Sequence, residues 1–180
     1  MSHVRSRRAL LAGAGVAGAV ALAGCGGKPL REKIRGGASV APEDVAPLNA
    51  LLDVENFGIA AYAAGIPLLG QAAAMDGKWL LGQELAHAAE LTDLIKQAGG
   101  RAHKLAASYQ LGDPRTAAEA LALLERAEHA QLRAYLEIIP TLSGPQVRAA
   151  LATISANDAQ HLAVLRLNAG QPPTSAFAVG

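Results

Sequence analysis

The sequence predicts an all-α protein, a four-helix bundle built from two helical hairpins joined by a long crossover. Composition is the first reason. The 180 residues are 51% hydrophobic but only 3% aromatic, so the core is assembled from Ala, Leu, Ile and Val. Ala and Leu favour helices over strands. The second reason is periodicity, because apolar residues recur at helical spacing through four segments. The third is the connections. The second-to-third link, about residues 99 to 115, is long and the other two are short, as in bundles with one crossover.

The first segment is expected over about residues 44–74. The second runs over about 77–98 and stops at Gly99-Gly100, a common way for a helix to end. The third follows Asp113-Pro114 and covers about 116–142. The fourth starts after Ser143-Gly144-Pro145 and closes near Asn168-Ala169-Gly170. Pro67 and Pro140 each remove a helix hydrogen bond, so they kink their helices or end the regular part.

The two hairpins repeat each other. A shift of 73 residues lays Val54-Glu55, Ala61-Tyr62, Ile66-Pro67 and Leu69 on Ala127-Glu128, Ala134-Tyr135, Ile139-Pro140 and Leu142. A shift of 74 lays Glu84-Leu85-Ala86-His87 on Asp158-Ala159-Gln160-His161.

Polar residues interrupt the inward-facing stripes. In segment one the stripe is Leu48, Leu52, Glu55, Ile59, Tyr62, Ile66 and Leu69, stepping by four and three. In segment two it is Leu80, Glu84, His87, Leu91 and Leu94. In segment three it is Leu121, Glu128, Leu132, Tyr135, Ile139 and Leu142, and in segment four Ile154, Asp158, His161 and Leu165. Each segment therefore turns a carboxylate inward, and two add a histidine three residues later on the same helix face. Four buried carboxylates require cationic partners. Two divalent metals would neutralise them, with two imidazoles completing the set.

These residues, in this order, resemble the ferritin-like superfamily of di-iron or di-manganese carboxylate proteins, over about residues 44–170. More narrowly the chain looks like bacterial, often exported, ferritin-like domain proteins. By that resemblance Glu55 and Glu128 are the lone carboxylates, and Glu84 with His87 and Asp158 with His161 are the paired ligands of two Fe or Mn ions. Asp158 stands where the family has glutamate, and its reach is shorter by about 1.5 Å. Tyr62 and Tyr135, each seven residues after a ligand carboxylate, are candidates for hydrogen bonds to ligands or for carrying an electron; a plain core role fits them equally. Glu125, one turn before Glu128, is a candidate supplementary ligand, although a partly exposed position suits it better. His129 is read as surface and His103 as a solvated crossover residue.

The N-terminal region reads as an address. Arg7-Arg8 precedes an uncharged run of 16 residues, Ala9 to Gly24, shorter than the ~20 strongly apolar residues of a spanning helix. Arg7-Arg8 resembles a twin-arginine signal, and Leu22-Ala23-Gly24-Cys25 resembles a bacterial lipobox with Cys25 as the lipidated residue. The expected layout is a signal peptide over 1–24, a lipidated flexible tether over 25–42, the bundle over 43–170 and a tail over 171–180 with Phe177 as a possible contact. Removal of 1–24 leaves 13 basic residues against 15 acidic, a net charge near −2. The expected location is the outer face of the bacterial cell membrane, held by lipid.

The near-neutral charge gives no footprint for nucleic acid. A single cysteine excludes an internal disulfide framework and any Cys-rich metal site. The leading functional expectation is a redox enzyme or ferroxidase that reacts with oxygen or peroxide. With no Cys-x-x-Cys module in the chain, an electron donor would be external. The alternative is a non-catalytic binding or structural lipoprotein with a stabilising or vestigial metal site. Pairing of two bundles is compatible with either. Iron storage needs a closed multi-subunit shell, which a lipid on every chain would hinder.

Overall fold

A computed structural model describes residues 40–174. The expected signal, Arg7, Arg8, Cys25 and Phe177 lie outside the described residues. The architecture is all-helical: α1 (Val45–Gly65), α2 (Gln71–Gln97), α3 (Ala117–Ile138) and α4 (Pro145–Asn168). Helix α1 packs on α2 within the first hairpin and on α3 across the crossover. Helices α3 and α4 form the second hairpin, and α2 touches α4 more lightly. Among the described residues no helix is long and apolar enough to cross a membrane.

The first hairpin turns earlier than the sequence periodicity suggests. Segment one ends at Gly65, not near residue 74, and α2 begins at Gln71, not near 77. Pro67 forces a short 3-10 turn, Ile66–Leu68, and Gly70 caps α2 in an extended conformation. Ala72, Ala73 and Ala74 therefore open the second helix, although their apolar character continues the first. Pro140 acts in the same way, ending α3 at Ile138 with a 3-10 turn over Ile139–Thr141.

The ends are fixed by local chemistry. Thr116 and Glu119 form a capping box at the start of α3. Both α2 and α4 close with a glycine at positive φ, Gly99 (77°) and Gly170 (70°). In each case the glycine and its successor donate to the two carbonyls of a Schellman turn, Gly99 to Lys96 and Gly100 to Ile95, Gly170 to Leu167 and Gln171 to Arg166.

The crossover is pinned to α1 by Asn49, which donates to the Arg101 carbonyl and accepts from the His103 amide. His103, expected to be solvated, is half-exposed and pairs with Asp53 at 2.9 Å. Asp44 accepts from the Ser143 amide and ties the start of the bundle to the second hairpin turn. Val40, within the segment expected as a tether, is already part of the core.

The core has two apolar parts. One gathers Leu48, Leu51, Leu52, Leu91, Leu94, Ile95, Tyr135, Leu142 and Leu151, with their neighbours. The other gathers Ala61, Tyr62, Leu80, Leu121, Leu123, Leu124, Ala127 and Leu165. In sequence, the stretches between them on all four helices carry the inward carboxylates and histidines. The stripes are largely as expected, with four positions only half-buried: Ile66 and Leu69 at the first hairpin turn, Ile59 and Ile139. Ile59 is only half-buried because Gly58 takes the inward position on its turn, and Ile139 is half-buried in the 3-10 turn.

Candidate metal centre

The four helices bring six side chains to one place. Glu55, Glu84, Glu128 and Asp158 are all 0% exposed, and His161 and His87 only 1% and 8%. Burial on this scale follows from register. Each residue sits one or two turns from a buried leucine or tyrosine on its own helix, and only His87 keeps a slight exposure.

The histidines reach across to the opposite hairpin. His161 Nδ1 lies 2.8 Å from Glu84 Oε1 and 3.3 Å from Glu128 Oε1. His87 Nδ1 lies 3.2 Å from Asp158 Oδ1, 3.8 Å from Glu55 Oε2 and 3.9 Å from Glu84 Oε1. The two rings are stacked, 5.8 Å apart and 14° from parallel. Each ring's far nitrogen meets an amide oxygen. His87 Nε2 is 3.0 Å from Asn157 Oδ1, and His161 Nε2 is 3.3 Å from Gln83 Oε1. An amide oxygen only accepts, so Nε2 donates there, and Nδ1 faces the carboxylates. Gln83 and Asn157 are themselves 74 residues apart, the same offset that relates the two histidines.

The tyrosines complete the exchange between hairpins. Tyr62 donates to Glu128 Oε1 and Tyr135 donates to Glu55 Oε1, both fully buried. Glu125 is not among these residues. It is half-buried on α3 and belongs to neither donor group. His129 is half-buried beside the cluster-bearing face rather than fully on the surface.

Burial and mutual repulsion set the charges. Burial, then the charges of Glu84 and Asp158, raises Glu55 well above the usual carboxylate range. Burial pushes Glu128 up to about 8 against the pull of His161. Asp158 is also raised, by burial first. Glu84 is the exception. Burial works against ionisation there too, but the hydrogen bond and charge of His161 outweigh it and lower its pKa. His161 is pushed up to about 10, since Glu128 and Glu84 overcome its burial. Tyr62 and Tyr135 are both raised, by burial and then by the adjacent carboxylate, and so stay protonated donors.

Two overlapping groups have the donors to hold a cation. Glu84, Glu128, Asp158 and His161 form one, and Glu55, Glu84 and His87 the other, with all donor atoms in each within 4.8 Å of one another. Glu84 is common to both. Five buried acceptor atoms in this region lack a hydrogen-bond partner, His87 Nδ1, Glu128 Oε2, both Asp158 oxygens and Gln131 Oε1, as does the donor Gln83 Nε2. Stranded acceptors of this kind are costly unless something positive meets them. Carboxylate oxygen with imidazole nitrogen is a hard donor set suited to iron and manganese. The residues present therefore fit a pair of divalent cations.

Gln131, Gln83 and Asn157 are the members that inspection of charged residues misses. The two repeat offsets were the available signal, since they align Gln83 with Asn157 and place Gln131 opposite Gly58.

Comparison with known proteins agrees with this fold. The family model described as a ferritin-like domain matches residues 43–171. The fold is similar to the crystal structure of a conserved hypothetical protein from Mycobacterium tuberculosis, with a TM-score of 0.65 and 23% identity over 71% of this chain and 96% of that one. At that identity the likeness concerns the fold alone. Among curated proteins none matches the sequence.

Proposed function

The chain belongs to the ferritin-like domain family, and from that premise we propose that it holds two iron or manganese ions on Glu55, Glu84, His87, Glu128, Asp158 and His161 and turns over oxygen or peroxide. The observation that carries this reading is the pair of overlapping donor groups sharing Glu84, with unpartnered acceptors buried around them. Bound as a pair, such ions supply electron exchange with an oxidant. The protein's own contribution is positional. Asn157 and Gln83 hold the two imidazoles with Nδ1 inward. Tyr62 and Tyr135 steady one oxygen each of Glu128 and Glu55, leaving the second oxygen of each free of the tyrosine. The two apolar core clusters above and below keep water out. His87 is the most exposed member, so small reactants approach from its side.

The proposal extends to location. The lipobox-like Leu22-Ala23-Gly24-Cys25 after Arg7-Arg8 supports export and attachment by lipid to the outer face of the cell membrane, with residues 26–39 as the spacer. Electrons then come from an external donor.

Metal content per chain tests the reading directly. Full-length protein from cells supplied with iron and manganese, purified without chelator, is expected to carry about two Fe or Mn per chain by elemental analysis. Asp158→Ala with His161→Ala is expected to abolish this. Near-zero metal after reconstitution would overturn the proposal. Two metals with no consumption of oxygen or peroxide would leave a metal-stabilised structural module instead.

A further inference from the structure

Inside the centre the internal repeat is broken most sharply at one pair of places. The 73-residue shift that superposes Glu55 on Glu128 and Tyr62 on Tyr135 also superposes Gly58 on Gln131. Gln131 is fully buried. Its Nε2 donates to Glu55 Oε2 at 3.0 Å and also to Glu84 Oε2. Its Oε1 is buried without a partner. A Cβ on Gly58 would stand 2.7 Å from Gln131 Nε2, so the missing side chain at 58 is the room that the glutamine occupies. The donor groups are unequal in the same sense. One offers four residues and the other three, and the residue in only the larger group besides Glu128 and His161 is the short Asp158.

We propose that Gln131 is the fourth ligand of the Glu55–Glu84–His87 position, engaging a cation through Oε1 once its amide has turned over. The inference rests on the metal reading above. As it stands, the amide hydrogens lie against the two carboxylates that a cation at that position needs, and a donor and a cation compete for the same lone pairs. A half-turn about the terminal torsion exchanges nitrogen for oxygen. Facing two carboxylates alone, that oxygen is repelled. With a cation among them it is a hard, neutral donor of the kind iron and manganese accept. The turned amide brings the smaller group to four ligands. It adds no negative charge, however, so this position holds two carboxylates where the other holds three. The two positions are therefore unequal, and the one beside Gln131 fills second.

The test is a titration of chelator-stripped, full-length protein in detergent with Mn2+, counting free ion by electron paramagnetic resonance. Wild type is expected to take two ions with unequal affinities. Gln131→Leu keeps the tighter ion and weakens the second by roughly 10- to 100-fold. Gln131→Glu keeps both and tightens the second. Thermal melts of each ion-free variant verify folding. A second ion bound by Gln131→Leu as tightly as by wild type, or more tightly, overturns the inference and makes the amide a bystander or a competitor. So does a wild type that binds a single ion. If Gln131→Leu does not fold, the glutamate variant decides alone, and an unchanged second affinity there overturns it. A wild type that binds no ion removes the metal reading itself, which is a different result.

Discussion

Glycine in the middle of a helix is ordinarily a weakness, so Gly58→Ala should reveal whether the centre needs the gap there. Helix propensity alone predicts a gain of about 1 kcal/mol for alanine. The structure predicts the opposite sign. The new methyl would lie 2.7 Å from Gln131 Nε2, 3.1 Å from Glu84 Oε2 and 3.2 Å from Gln131 Cδ. All three atoms belong to fully buried side chains held by hydrogen bonds. Overpacking of this kind costs about 1–3 kcal/mol, and weakening the hydrogen bonds from Gln131 to its carboxylates adds about 1.5–3 kcal/mol if one is lost. Set against the propensity gain, the net with one hydrogen bond lost is a destabilisation of about 1.5–5 kcal/mol. For a domain of this size each kcal/mol moves the melting temperature by roughly 3–5 °C. Gly82→Ala is the internal control, because Gly82 is an exposed interior position of α2 with nothing within 4 Å of an added Cβ. It is expected to raise stability by about 0.5–1 kcal/mol. Urea unfolding of the two variants beside wild type reads both signs at once. A Gly58→Ala protein at least as stable as Gly82→Ala would refute the packing argument.

Three further outcomes follow from the same geometry. Tyr62→Phe and Tyr135→Phe each remove the one hydroxyl that serves a buried carboxylate, and each is expected to lower unfolding free energy by about 1–3 kcal/mol in urea; an unchanged midpoint would show that those oxygens are satisfied otherwise. In the ion-free protein Glu128 is raised from 4.5 to about 8 and His161 from 6.5 to about 10. Groups raised on folding stabilise below their unfolded values and lose that contribution as pH climbs to the folded ones. Ion-free stability is therefore expected to fall between pH 5 and 10 while Mn2+ affinity rises over the same span, since ligation needs the ligands deprotonated. Melts at pH 6 and 9.5 check the first part, and a more stable ion-free protein at the higher pH would contradict it. Thr116→Ala removes the capping box of α3 and is expected to cost about 1 kcal/mol without changing ion binding.

Much of the centre was legible in the sequence because helical spacing and charge compete openly there. A carboxylate inside a leucine stripe has no other explanation as economical as a cation, and four such stripes supply Glu55, Glu84, Glu128 and Asp158. The histidines followed from their three-residue spacing. The helix ends were readable where glycine or proline dominates, as at Gly99 and Pro145. They were not readable between α1 and α2, where Ala72, Ala73 and Ala74 fit either helix and only the backbone constraint of Pro67 decides. Gln131 was hidden for a different reason. It is uncharged and adjacent to Leu132, which fills the expected step of the stripe, so nothing in its own neighbourhood marks it as inward. Gly58 was hidden behind Ile59 in the same way.

The pairing of Gly58 with Gln131 also says something about symmetry in a folded chain. Two identical hairpins facing one another must present the same residue at both places. With glutamine on each side, the methylenes of one would fall where the other's amide nitrogen already stands. With glycine on each side, the space is a hole and no amide reaches the carboxylates. A peg needs a socket, and a perfect mirror offers only two pegs or two sockets. A single chain that carries both hairpins escapes this restriction, because its two halves are free to differ at one step while keeping the rest of the pattern. The covalent crossover thus does more than connect the hairpins: it allows a lopsided centre in a fold whose remaining parts are nearly even.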